Sequence, residues 1–124
     1  MALNQIGQIA IPVTDIDQSI EFYRDKLGLK LLFQAPPGLG FFACGEIRLM
    51  LDQTASNNAG NGSVIYFKVE DIHSSFHTLL EKAVSFEREP HLVAKMPDHE
   101  LWMAFLRDPD GNILALMGEL RNLD

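Results

Sequence analysis

The chain has 124 residues, 47% hydrophobic and 22% charged, and its 17 acidic against 10 basic residues give a formal net charge of -7. That length suits a single domain over residues 1–124 with one modest core, and that composition suits ordered globular protein rather than disorder. An acidic surface without a Lys/Arg cluster repels phosphate backbones, so nucleic acid is not an expected partner.

Gln5 to Val13 alternates, with Ile9, Ile11 and Val13 on one face and Ile6, Gln8 and Ala10 on the other, which predicts a half-buried strand. Thr14 or Asp15 can cap a helix whose stripe is Ile16, Ile20, Tyr23 and Leu27, and Gly28 follows where a helix end favours glycine. Leu29 to Gln34, Phe41 to Cys44 and Ile47 to Asp52 read as strands, separated by turns at Pro36-Pro37-Gly38 and Gly45. Gln53 to Gly62 is polar, rich in Asn and Gly and without periodicity, as a linker would be. Alternation resumes from Ser63 to Val69, with Ile65, Phe67 and Val69 against Val64, Tyr66 and Lys68. A second helix carries Ile72, Phe76, Leu79, Leu80 and Ala83 inward. Val84 to Glu89, Leu101 to Arg107 and Asn112 to Met117 are the remaining predicted strands, and Asp108-Pro109-Asp110-Gly111 is a hairpin turn.

The predicted order is β-α-β-β-β twice, an α+β arrangement of two βαβββ modules over about residues 4–53 and 62–119. A shift of 56 residues superposes Val13 on Val69, Asp15 on Asp71, Ile16 on Ile72 and Ser19 on Ser75. Each of these is a strand-end, cap or core position, which supports an internal repeat. Cys44 is the only cysteine, so no internal disulfide can form, and a lone thiol suits a reducing compartment. The first basic residue is Arg24, so the start of the chain lacks the charge of a signal peptide. No apolar run approaches a membrane span. The expectation is a cytoplasmic protein with no membrane partner.

Two stretches, IPVTDIDQSIEFYRDKLG from Ile11 to Gly28 and FLRDPDGN from Phe105 to Asn112, resemble signatures of the vicinal-oxygen-chelate superfamily. That superfamily comprises glyoxalase I, bleomycin-resistance proteins and extradiol dioxygenases, and the resemblance covers nearly the whole chain. It implies curved sheets around a small-molecule cleft, commonly completed by a homodimer. It also implies four metal-ligand positions, two per module, where carboxylate, imidazole or amide groups would polarise adjacent substrate oxygens. Carried onto this chain, those positions are Gln8, Met50, Val64 and Ala115. One amide beside a thioether, an isopropyl and a methyl group is no ligand set for a divalent ion. These four residues are therefore expected to converge on a dry spot that holds no metal and no cofactor, with Asp52 and Glu119 as the carboxylates of a slipped alternative.

Other residues compete for attention. His73 and His77 stand four apart on the second helix, a zinc-compatible spacing, but Ser74 follows His73 and no third ligand is evident, so a solvated helix face is preferred. Glu89 to Trp102 reads either as a surface loop whose Trp102 fills a gap or as a loop over the cleft mouth. In the second reading Trp102 stacks on a ligand while His91, Lys95 or His99 meets its polar group. Arg48 shares a strand face with Met50 and Asp52, and Tyr66 and Lys68 share the face of Val64, so Arg48 and Tyr66 are candidate polar contacts; an Arg48–Asp52 pair is the plainer alternative. Phe33, Phe41, Phe42 and Met50 are expected in the wall, and Cys44 as an inert thiol.

The expected function is metal-independent binding or sequestration of a small molecule, as in the bleomycin-resistance members. The alternative is a metal-dependent lyase, epimerase or dioxygenase resembling glyoxalase I with relocated ligands. A third reading is a metal-free enzyme with His91 or His99 as general base.

Overall fold

The computed structural model describes residues 4–53 and 63–121. The chain divides into two compact units, Met1–Asn61 and Gly62–Asp124, each an open four-stranded mixed sheet with one helical segment. The α+β class and the strand–helix–three-strand order in each half are as expected.

In the first unit β1 (Gln8–Pro12) leads into α1 (Ile16–Glu21), which continues as a π-helical turn (Phe22–Lys26). β2 (Lys30–Ala35), β3 (Leu39–Cys44) and β4 (Ile47–Asp52) follow, and the sheet order is β1-β4-β3-β2. β1 and β4 are parallel, which requires a crossover, and the helical segment supplies it. The Asp15 carboxylate accepts from the Gln18 N–H at 3.1 Å and so fixes where α1 starts. Gly28 closes the segment at φ +80°, a left-handed value that a side chain would oppose. Ile11, Val13, Phe42, Leu49 and Leu51 are buried, as are Ile20, Phe22 and Tyr23.

In the second unit β5 (Ile65–Val69) precedes α2 (Ile72–Glu81), then β6 (Ser85–Lys95), β7 (His99–Arg107) and β8 (Ile113–Arg121), in sheet order β5-β8-β7-β6. Asp71 caps α2 as Asp15 caps α1, accepting from Ser74 N–H at 3.1 Å. The buried set is Ile72, Leu79, Val84, Ala104, Leu106, Leu114, Ala115 and Leu116. The predicted turn at Asp108 is present and is held by that residue's own carboxylate. Asp108 Oδ1 accepts from the N–H groups of Asp110 and Asn112 at 2.9 and 2.8 Å, and Oδ2 accepts from Asn112 Nδ2 at 2.8 Å.

The segment from Glu89 to Trp102 departs from expectation. It is not a loop: β6 and β7 run on into it, and Met96 N–H donates to His99 C=O at 2.8 Å across a tight hairpin end. β6 follows β7 through three register shifts, between Phe86 and Arg88, Arg88 and His91, and Leu92 and Ala94. Bulges break the period-two pattern, so the sequence looks aperiodic where the backbone is still a strand. Of the expected linker only Gln53 lies within the described residues. Its side-chain Oε1 accepts from Ile16 N–H at 2.8 Å, so it serves as a second cap on α1.

Candidate functional site

Each sheet has one face against its helix and one face open, and side chains paired in register share a face. In the first unit Ala10 pairs with Met50, Phe41 with Met50, Ala43 with Arg48 and Gln8 with Arg48, which places all of them on the open face. Gln8 Nε2 donates to Met50 Sδ at 3.7 Å. Phe33 and Phe41 stack at 4.5 Å between centroids, and the Arg48 guanidinium stands 5.7 Å from the Phe41 centroid. Phe42 does not belong to this wall. It is fully buried on the helix side, 6.1 Å from the Tyr23 ring.

In the second unit Tyr66 and Phe105 both pair with Ala115, and Met103 pairs with Met117 and His91. The Tyr66 ring meets Phe105 edge-on at 6.1 Å, and His91 stacks on Phe105 at 6.0 Å. His91 Nδ1 lies 2.9 Å from the Glu89 carbonyl oxygen. A carbonyl can only accept, so in that contact Nδ1 carries the hydrogen and Nε2 of the neutral ring is an acceptor. Further along the same face, His99 Nδ1 lies 2.7 Å from Asp98 Oδ1 and its Nε2 4.0 Å from Glu119, which in turn is 3.7 Å from Lys68 Nζ. The hydrogen bond from His99 holds the Asp98 carboxyl below the usual aspartate range. A shallow groove of about 480 Å³ beside this cluster is lined by Lys68, Glu119 and Arg121.

The four positions implied for metal ligands fall into two equivalent pairs. The 56-residue shift carries Ala10 onto Tyr66, and their register partners are Met50 and Ala115 respectively. The same shift carries Gln8, at the start of β1, onto Val64, one residue before β5. In the first unit the groups are an amide already turned to a sulfur and a thioether, in the second two hydrocarbon groups, and neither pair fits a hard divalent ion. Among the described residues, no three His, Cys, Asp or Glu side chains gather as an ion site elsewhere. His73 and His77 are both exposed, with His73 edge-on to Trp102 at 5.1 Å.

Trp102 is the main correction among the candidate residues. It pairs with Gly118, which lies under Ile72 of α2, so its ring is on the helix side and not with His91 and Phe105. Its Nε1 donates to Glu100 Oε1 at 3.1 Å, and Lys95 is the register partner of that Glu100. Sequence reasoning missed Phe105 and Met103, which carry the open face; of the two readings offered for Trp102, its helix-side place agrees with the gap-filling one and not with stacking on a ligand. LWMAFLR is apolar at almost every position, so alternation cannot say which parity faces the helix.

Comparison with known proteins gives this fold its class. The chain belongs to the Glyoxalase/Bleomycin resistance protein/Dioxygenase superfamily, whose family model matches residues 5–116. It is 29% identical over 126 residues to the uncharacterised protein YraH of Bacillus subtilis (strain 168), covering 88% of this chain and 94% of that one. It is 34% identical over 120 residues to a probable lactoylglutathione lyase of Synechocystis sp., covering 86% and 89%. Its fold also matches the crystal structure of TnmS3, an antibiotic binding protein from Streptomyces sp. CB03234, with a TM-score of 0.76, 24% identity and coverage of 96% and 98%.

Proposed function

We propose that this protein binds or sequesters a small molecule without a metal, receiving it against the open sheet faces. The observation that carries the reading is the chemistry of the two equivalent pairs. Gln8 with Met50 and Val64 with Ala115 offer an ion almost nothing in place of its lost hydration, whereas the part-exposed Met50 and Val64 suit an apolar ligand; Ala115 itself is buried. The aromatic groups beside them, Phe33 and Phe41 in one unit and Tyr66, Phe105 and His91 in the other, supply stacking surface with few polar anchors. His99, Arg48 and Lys68 are the candidate polar contacts. TnmS3, named as an antibiotic binding protein, is a structural neighbour compatible with such a role.

The likeness to a probable lactoylglutathione lyase favours a second reading, an enzyme with relocated metal ligands. Metal analysis of the purified protein separates the two, together with a lactoylglutathione lyase assay in added divalent metals. The binding reading expects substoichiometric metal and no turnover. Stoichiometric tightly held metal, or turnover that a chelator abolishes, overturns it.

The same reading includes a cytoplasmic homodimer. Among the described residues no helix is long and apolar enough to cross a membrane. β6 is a sheet edge whose Leu92 and Val93 are exposed, as is Met96 just past its end, and apolar edges favour pairing with a second chain. Sedimentation at micromolar concentration should give twice the chain mass, and a monomer alone counts against this part.

A further inference from the structure

Arg48 is the guanidinium on the open face of the first unit. Among the described residues no carboxylate pairs with it, not even Asp52 two positions along the same face, and its one ring contact is with Phe41. The chain as a whole is strongly acidic, at -7, yet among the described residues no carboxylate engages this guanidinium. It stands instead at the end of an apolar row formed by Phe33, Phe41 and Met50, with the Gln8 amide paired beside it in register. A groove of about 300 Å³, lined by Leu32, Ala43, Ile47 and Arg48, opens at this end of the sheet. Glu46 lines the groove as well, without bonding to Arg48.

We propose that the open face of the first sheet selects an organic anion with an aromatic or apolar body, its carboxylate, sulfonate or phosphate held by Arg48. The inference rests on the small-molecule reading above and names the class of ligand. A guanidinium presents a planar fork of donors that matches such oxyanions, and its ring neighbour keeps the fork oriented. Phe33 and Phe41 present stacked ring surface to the body, and Met50 adapts to its shape. The overall negative charge opposes the anion only weakly at contact range, because salt screens fields beyond about 8 Å at physiological ionic strength. The anionic end therefore fixes orientation, and the apolar row supplies most of the affinity.

The test uses two fluorescent probes of the same skeleton, anionic anilinonaphthalene sulfonate and neutral phenylnaphthylamine, titrated into the full chain. Wild type should bind both. Arg48→Met keeps an apolar stem and removes the charge, and it should weaken the sulfonate about tenfold while leaving the neutral probe within about twofold. Arg48→Lys should recover part of the loss, because it restores charge without the fork. Raising salt on wild type gives a check that needs no variant: sulfonate binding should weaken while phenylnaphthylamine binding does not. An equal effect of Arg48→Met on both probes, no effect on either, or salt-independent sulfonate binding overturns the proposal. Failure here leaves the metal analysis untouched, and bound metal there would leave this charge contrast standing, so the two readings fail separately.

Discussion

The two units repeat one plan, and they differ where the plan is free to vary. Asp15 and Asp71 cap their helices at nearly the same backbone angles, φ -133° with ψ 102° and φ -130° with ψ 98°. Both sheets run edge, last strand, third strand, second strand, with the same parallel pair. Beyond that the units diverge. The first has a short α1 that turns into a π-helical end, a second cap from Gln53, and an open face carrying Arg48 over stacked phenyl rings. The second has a regular α2, a long bulged β6–β7 hairpin, and an open face that passes from Tyr66, Phe105 and His91 to the charged group at His99. Caps and register determine whether a module folds, so they are shared; the open faces carry no such burden.

Core and open face should respond very differently to the same change. Phe42→Ala removes a fully buried ring and should cost about 3–5 kcal/mol in urea unfolding, while Phe33→Ala on the open face should cost about 1 kcal/mol or less. Comparable losses would mean that the open face is structural.

The two glycines packed under the helices sharpen the contrast between them. A Cβ at Gly118 would stand 3.1 Å from Ile72 Cβ, an atom fixed to the backbone of α2. A Cβ at Gly40 would meet side-chain atoms beyond Cβ, Ile20 Cδ1 and Cγ1 at 3.2 Å and Ile16 Cδ1 at 3.5 Å, which can rotate away. Gly118→Ala should therefore destabilise by about 1–3 kcal/mol and Gly40→Ala by clearly less, read as shifts in the urea midpoint. The reverse order would show that α2 is the looser of the two helices on its sheet.

Removing the caps should cost about 1 kcal/mol in each unit, with Asp71→Ala the worse of the pair. Gln53 still serves the Ile16 N–H when Asp15 is lost, and Gly118, which occupies the corresponding register place in the second unit, has no side chain to offer. A larger loss for Asp15→Ala in thermal unfolding would remove Gln53 from this account.

The smallest effect belongs to Asp98. Its folded-state carboxyl lies below the ordinary value of about 3.9, so its stabilising contribution is present above that value and fades as pH falls through the lower folded value. Asp98→Asn should lower the melting temperature slightly at neutral pH, and the gap to wild type should close in acid. A gap that stays constant across that range would mean that the His99 contact is not the cause.

Periodicity and punctuation were enough to read the element order, the caps at Asp15 and Asp71, the turn at Asp108 and the repeat, because each depends on contacts within a few residues. The resemblance to the superfamily, not periodicity, put Gln8 beside Met50, and the parallel pairing of β1 with β4 brings the two side chains together. What neighbours along the chain could not decide was the second module's hairpin. Three bulges erase the alternation of β6, and the two-sided apolar run of β7 leaves its parity open. Only pairing with β8, which places Gly118 under Ile72, puts Trp102 on the helix side and Phe105 on the open face. Local pattern gave the two halves, and the stretches Ile11 to Gly28 and Phe105 to Asn112 pointed to the family; which aromatic rings stay off the helix was decided by which strand face the helix covers, a contact between residues far apart in sequence.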